Sequence, residues 1–320
     1  MNFTIDDISN ELARFYNSRR FNFTNVQFLY NLPERILPYA KWGLHSLDSI
    51  LSYGRLDMPM TIGIETISVC SKRCGYCPVG TKEFRESREH TTMTDDLFRP
   101  IIADLASWPR TGRRQGFNGA LYLNAFGEPT QDKKIAERVK YARQMLPESF
   151  IGLFSNGDGL TPSLFNELVD AGIDKLVITI HDPSEFNSQV WEIYGTKKGK
   201  EKIRLIKSLN YLSNRGGRVE VEDEITIAPR YICLSPAYAF WINTDGKMGY
   251  CFNDTLVTHQ LGRYIPGFTK LLEIWDNPEN KILRDNLKHG RWEFLPDVCY
   301  ECRKPYHEHP AKEVVPVGIE

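Results

Sequence analysis

The sequence predicts an α/β protein built on a parallel sheet and followed by a small α+β unit, and three observations carry that expectation. Apolar runs of strand length alternate with longer amphipathic stretches from Thr61 onward, the alternation stops near Tyr231, and seven cysteines divide into a tight group of three and a spread group of four. Strand–helix alternation favours parallel strands joined by crossover helices, with functional residues gathered at the carboxyl ends of the strands.

Residues 1–60 contain ten aromatics, among them Phe15, Tyr16, Phe21, Phe23, Phe28, Tyr30 and Trp42, at helix-like spacing broken at Pro33 and Pro38. This predicts a helical N-terminal extension, and core packing is the plain use of its aromatic rings. The core unit, 61–230, has strands over Thr61–Ser68, Ala120–Ala125, Phe150–Phe154, Lys175–Ile180 and Arg218–Ile227. Between them the spacing predicts helices over Asp95–Ser107, Lys133–Met145, Pro162–Ala171 and Gly199–Leu212, the third capped by Thr161 and ended by Gly172. Cys70, Glu128, Ser155 and His181 then fall at or just past strand ends. In the second unit, 231–310, Ala239–Ile242 and Lys247–Cys251 flank Asn243-Thr244-Asp245-Gly246 as a β-hairpin. Gly267–Leu287 reads as helix interrupted near Pro278, Cys299–Cys302 as a short loop, and 311–320 as a tail.

With 320 residues, 41% hydrophobic and 25% charged, the chain is long enough to bury a core. Its 40 basic and 41 acidic residues leave a formal charge of −1, so no overall positive field draws a nucleic-acid backbone or an anionic membrane. The first residues carry Asp6 and Asp7 without an apolar run, and the longest uncharged stretch, Tyr231–Thr244, is short and broken by Ser235 and Pro236. Neither export nor a membrane span is expected. An odd number of cysteines in a chain of this length argues against a disulfide framework and for a reducing, cytoplasmic setting.

Cys70-Ser-Lys-Arg-Cys74-Gly-Tyr-Cys77 follows the first strand directly. Three soft thiolates on one loop suit an iron–sulfur cluster, and three ligands leave one iron of a four-iron cluster open, as expected of a catalytic site. Zinc completed by His90 or a remote residue is the bland alternative. The spacing Cys-x3-Cys-x2-Cys, with Tyr76 before the last cysteine, resembles the signature of the radical S-adenosylmethionine (radical SAM) superfamily. Gly127-Glu128-Pro129 resembles that family's Gly-Glu-Pro segment, and Ser155-Asn156-Gly157 its ribose-side segment. The resemblance implies a partial (β/α)6 TIM-like barrel, with Cys70, Cys74 and Cys77 holding a 4Fe–4S cluster. It implies that Gly127, Glu128, Ser155 and Asn156 bind SAM, with Tyr76 near the adenine. It further implies reductive cleavage of SAM to a 5′-deoxyadenosyl radical that abstracts a substrate hydrogen, the electron for that cleavage coming from a one-electron reductant such as flavodoxin or ferredoxin.

Cys233, Gly246 and Cys251, in the order Cys-x12-Gly-x4-Cys, with Cys299-Tyr-Glu-Cys302 later, resemble the first half of the SPASM domain, the shorter form of which is called a twitch domain. Leu271-Leu-Glu-Ile-Trp275 resembles the same domain's helical segment. That likeness implies a second, auxiliary 4Fe–4S cluster held by Cys233, Cys251, Cys299 and Cys302; a four-cysteine structural zinc has the same ligand count. His307 and His309 read as surface residues beside a complete ligand set.

The expected substrate is a small polar metabolite, such as an aminocyclitol, sugar or nucleoside, undergoing oxidation or a related radical change. A ribosomally made peptide is the alternative, and a zinc-stabilised binding module without turnover is a third reading from another class. Basic runs at Arg110/Arg113/Arg114 and Lys197–Arg204 read as solvated surface. His181 and Glu222 are the candidate catalytic side chains: Glu220, Glu222 and Glu224 alternate along one strand face, at a sheet edge or lining the cavity. If Glu222 meets substrate, Glu222→Gln weakens turnover with iron content unchanged; steady-state kinetics beside an iron assay decide, and unaltered kinetics remove the idea.

Overall fold

Apolar residues two apart along short runs can bury one face of a strand while leaving the other to line a lumen, and this periodicity builds the sheet. The computed structural model describes residues 37–75, 77–88, 90–181, 187–207, 214–219 and 233–302. Of the N-terminal extension it describes α1 (Leu37–Tyr53). Thr111 Oγ1 donates to the Leu51 carbonyl at 2.7 Å, and the Asn118 amide donates to the Tyr53 hydroxyl at 3.0 Å, so α1 docks where the chain enters the second strand.

The strands of the core unit are β1 (Thr61–Ile64), β2 (Ala120–Tyr122), β3 (Phe150–Ser155), β4 (Lys175–Ile180) and β5 (Ile203–Lys207). The helices are α2 (Lys82–Ser87), α3 (Asp95–Ala106), α4 (Ile135–Met145), α5 (Pro162–Asp170), α6 (Ser188–Gly195) and α7 (Lys197–Lys202). From β1 to β5 each strand pairs in parallel with the one before it. With winding in one direction and right-handed crossovers, the helices fall on one face and the sheet curls into a partial (β/α) barrel. Ile62, Leu121, Ile151, Leu153, Leu176 and Ile178 are fully buried beneath the helices, in one core with Ile101, Leu105 and Val139. Gly63, Tyr122 and Gly152 alternate with them on the lumen side, where the Phe252 ring leaves no room for a Cβ at residue 63.

The hairpin forms as expected, from β6 (Ala239–Ile242) and β7 (Lys247–Gly249), and turns at Gly246 with φ 88°. Asn243 Oδ1 accepts from the amides of Asp245 and Lys247, which closes the turn. β6 pairs in parallel with β1, and β8 (Gln260–Arg263) pairs antiparallel with β7. One sheet of order β5-β4-β3-β2-β1-β6-β7-β8 therefore runs from the barrel into the C-terminal region. That region continues with α8 (Leu271–Asp276), α9 (Pro278–His289) and α10 (Asp297–Glu301). The break between α8 and α9 falls at Asn277, whose side chain caps α9 ahead of Pro278.

Three local expectations are corrected. Gly199–Leu212 is not one helix: Thr196 caps the short α7, and β5 begins at Ile203, where Ile203 and Leu205 are buried against β4 in a period of two. The preceding lysines suit a helix surface, but burial on the sheet decides the conformation of 203–207. Arg218 and Val219 lie in a turn closed by Val219 N to Asn214 O at 3.1 Å, not in a strand. Cys299 sits within α10, and Cys302 follows its last turn. The rest of the Arg218–Ile227 expectation, with Glu220, Glu222 and Glu224, lies outside the described residues, as do His307 and His309. Among the described residues no helix is long and apolar enough to cross a membrane.

Leu121 on the central β2 has no exposed surface, whereas Ile282 on α9 is 61% exposed. Leu121→Ala is expected to cost about 2–5 kcal/mol and Ile282→Ala less than about 0.5 kcal/mol, as measured by urea unfolding.

Candidate functional site

The three-cysteine loop hangs between two strand ends. Just past β1, the buried Glu65 carboxylate receives both terminal nitrogens of Arg88 and, at 3.3 Å, the Phe126 amide. The Arg88 guanidinium also lies 4.9 Å over the Phe84 ring and 5.8 Å over Trp241. Burial pushes the Glu65 carboxyl above its ordinary range, and Arg88 opposes that shift. Cys70 and Cys77 pack against the cluster of Val79, Phe84, Phe126 and Trp241. Cys77 N donates to Cys74 O at 3.0 Å, and a Cβ at Gly80 would stand 2.7 Å from the same carbonyl, so the tight turn requires glycine.

Burial pushes the Cys70 thiol up to about 11 and the Cys77 thiol in the same direction, with Arg215 opposing at Cys77. At neutral pH these thiols hold their protons until a metal displaces them. Cys70 lies within the electrostatic reach of both Cys74 and Cys77. No three His, Cys, Asp or Glu among the described residues converge on one ion position. Three soft thiolates on one loop suit an iron–sulfur cluster.

Glu128 joins this loop to the exit of β3. Its amide donates to Val69 O at 2.7 Å, and Gly127 approaches the Ile67 carbonyl so closely that a Cβ there would collide with it. The buried Glu128 carboxylate accepts from Thr130 N (3.0 Å), Thr130 Oγ1 (2.7 Å), Ser155 Oγ (2.7 Å) and Asn156 N (2.8 Å). Three of these donors go to Oε1 and one to Oε2, so in this structure Glu128 holds the Ser155–Asn156 segment in place. Asn156 Nδ2 in turn reaches Cys70 Sγ at 3.7 Å and Ser71 Oγ at 3.3 Å. Ser71 Oγ donates to Asp158 at 3.0 Å, and Lys72 Nζ stands 3.2 Å from the same carboxylate. His181, at the end of β4, places Nδ1 3.7 Å from Cys74 Sγ, and burial followed by Lys72 lowers its basicity.

The structure thus gathers Cys70, Cys74, Cys77, Gly127, Glu128, Ser155, Asn156 and His181 at one end of the barrel, while Tyr76 and Glu222 lie outside the described residues. Sequence reasoning missed Lys72 with Asp158, the Glu65–Arg88 pair, and the turn at Asn214–Val219. In that turn Arg215 has φ 49°, Asn214 Nδ2 donates to Glu301 O at 2.6 Å, and Gly216 leaves no room for a Cβ beside Val298. Adjacent glycines after Asn-Arg were the only signal available.

The second cysteine group assembles from the hairpin and α10. Cys251 follows β7, and Trp241 Nε1 donates to its carbonyl at 3.0 Å. Cys299 is in the electrostatic field of Cys251 and Cys302, and burial pushes its thiol up to about 12. The Cys233 amide donates to Leu287 O at 2.9 Å, which fixes that residue against the end of α9. Four thiol donors suit a cluster or zinc.

Residues 64–231 match the family model described as the Radical SAM superfamily. Over 245 residues the chain is 27% identical to the S-adenosyl-L-methionine-dependent 2-deoxy-scyllo-inosamine dehydrogenase of Niallia circulans, covering 75% of this chain and 91% of that protein. In fold it resembles the crystal structure of BtrN in complex with AdoMet and 2-DOIA, at 24% identity and TM-score 0.65, covering 79% of this chain and 98% of that one. It also resembles Streptococcus suis SuiB bound to precursor peptide SuiA, at 14% identity and TM-score 0.51, covering 87% and 77%.

Removing one partner of a buried ion pair strands the other charge, at about 3–5 kcal/mol. Arg88→Met is expected to lower the unfolding free energy of the metal-free protein by that amount. The double variant Glu65→Leu/Arg88→Met is expected to recover most of it; both are read by denaturant titration.

Proposed function

We propose, from the premise that this chain belongs to the radical SAM superfamily, that it oxidises a small polar metabolite of the aminocyclitol, sugar or nucleoside class. The observation that carries this reading is the likeness to an aminocyclitol dehydrogenase over 91% of that protein's length. Cys70, Cys74 and Cys77 would hold the first cluster, with the segments around Gly127 and Asn156 beside it for SAM. When bound, these cofactors supply the radical that removes one hydrogen atom from substrate.

The residues of the chain itself shape where that happens. Glu128 fixes the Ser155–Asn156 turn, and Asn156 bridges from that turn to Cys70 and Ser71, so hydrogen bonds tie the cofactor segments to the cysteine loop. Lys72 and Asp158 form an ion pair beside that turn. Tyr122 and the 39% exposed Phe154, their ring centroids 5.1 Å apart, form an aromatic wall on the lumen face. Loss of one hydrogen atom removes one electron from the substrate. Completing a two-electron oxidation to a carbonyl takes one further electron and one proton, and Cys233, Cys251, Cys299 and Cys302 would hold the electron acceptor as a second cluster. A flavodoxin- or ferredoxin-type protein would supply the initiating electron.

The test is anaerobic reconstitution with iron and sulfide, followed by dithionite and SAM. The expected result is roughly eight irons per chain and release of 5′-deoxyadenosine that is lost when Cys70, Cys74 and Cys77 are replaced by alanine. A pool of polar metabolites is expected to stimulate release where a pool of peptides does not. Stimulation by peptides alone overturns the substrate class, and zinc in the second group overturns its role as electron acceptor.

A further inference from the structure

Hydrogen-bond donors are aimed at the sulfurs of both cysteine groups. In the first, the backbone amides of Lys72 and Val79 hydrogen-bond Cys70 and Cys77, and Asn156 Nδ2 to Cys70 and His181 Nδ1 to Cys74 both stand at 3.7 Å. In the second, Tyr250 Oη stands 3.1 Å from Cys299 Sγ, Asn253 N 3.3 Å from Cys251 Sγ, and Asn253 Nδ2 3.6 Å from Cys302 Sγ. Each of these three cysteines therefore faces a donor from the segment that follows β7. Tyr250 is 2% exposed and is held in place by the His259 ring, edge-on at 5.6 Å.

In the metal-free protein either partner of the Tyr250–Cys299 contact can donate. A sulfur bound to iron has no proton to give, so there the phenol is the donor. One-electron reduction of a thiolate-ligated cluster adds a unit of negative charge that is partly carried by its sulfurs. A donor pointing at those sulfurs stabilises the reduced state more than the oxidised one, and raises the potential. Burial strengthens the effect, because little water competes for the sulfur.

We infer that Tyr250 is a positioning residue that raises the electron affinity of the C-terminal cluster through Cys299, with the two Asn253 donors adding to it. The inference rests on the reading of that group as a cluster. It gives the phenol a use that ligand spacing does not assign.

The experiment uses the full chain carrying Cys70→Ala, Cys74→Ala and Cys77→Ala, so that the only iron signal belongs to the second group. After anaerobic reconstitution, iron is counted and the midpoint potential is read by EPR during a dithionite titration, with and without Tyr250→Phe. Equal iron in both proteins is expected, with electron affinity about tenfold lower in the Tyr250→Phe protein, a midpoint about 59 mV more negative. Asn253→Ala, which removes the longest of the three contacts, is expected to shift it in the same direction by less, and gives a second reading independent of the phenol. Equal iron with an unmoved midpoint in both variants overturns the role of these donors while leaving the cluster intact. Absence of iron from the triple-cysteine variant overturns the cluster reading itself, and this inference with it.

Discussion

A carboxylate buried at the end of a barrel strand has no water to stabilise it and must find its partners in the chain; that constraint at Glu65 organises this end of the molecule. Its partners are Arg88, beyond the cysteine loop, and the amide of Phe126, at the approach to Gly127. The pair therefore closes a ring from β1 through the cysteine loop to the exit of β2. Glu128 repeats the device one strand further on, accepting four hydrogen bonds from Thr130, Ser155 and Asn156. Two buried carboxylates thus turn three separate loops into a single preorganised surface.

The same region is joined to the second cysteine group by aromatic packing. Trp241 stands edge-on to Phe126 at 5.0 Å and stacks with Phe252 at 6.2 Å, while its indole donates to the Cys251 carbonyl. Cys70 and Cys77 pack on the same aromatic cluster. Because β6 pairs directly with β1, this contact is built into the sheet and does not depend on docking between separate units. Cys251, which follows this hairpin, is thereby placed relative to the cysteine loop by the ladder between those strands.

Several features were legible from local chemistry. The four strands from Thr61 to Ile180 announce themselves as short apolar runs, and Thr161 caps α5 as its position before Pro162 suggests. The hairpin follows from Asn243 and Gly246, whose side-chain acceptor and left-handed backbone the turn requires. β5 was missed because a lysine-rich helical turn runs directly into it, and five residues with one buried alternation look locally like more of the same helix. The Glu65–Arg88 pair was hidden because the two residues are 23 apart and neither belongs to a recognisable motif.

What the sequence determined by itself is the chemistry that short spacing encodes: three thiols on one loop, a second set around a hairpin, and a parallel α/β scaffold to carry the first. What only the tertiary structure decided is how those pieces are held. Glu128 became an internal organiser, Tyr250 was aimed at a sulfur 49 residues away, and the hairpin was joined to the barrel sheet. The physical reason is that ligand identity and turn geometry are local properties of a few residues. The partners of a buried charge or of a donor beside a thiolate depend on which distant segments share the same low-dielectric space.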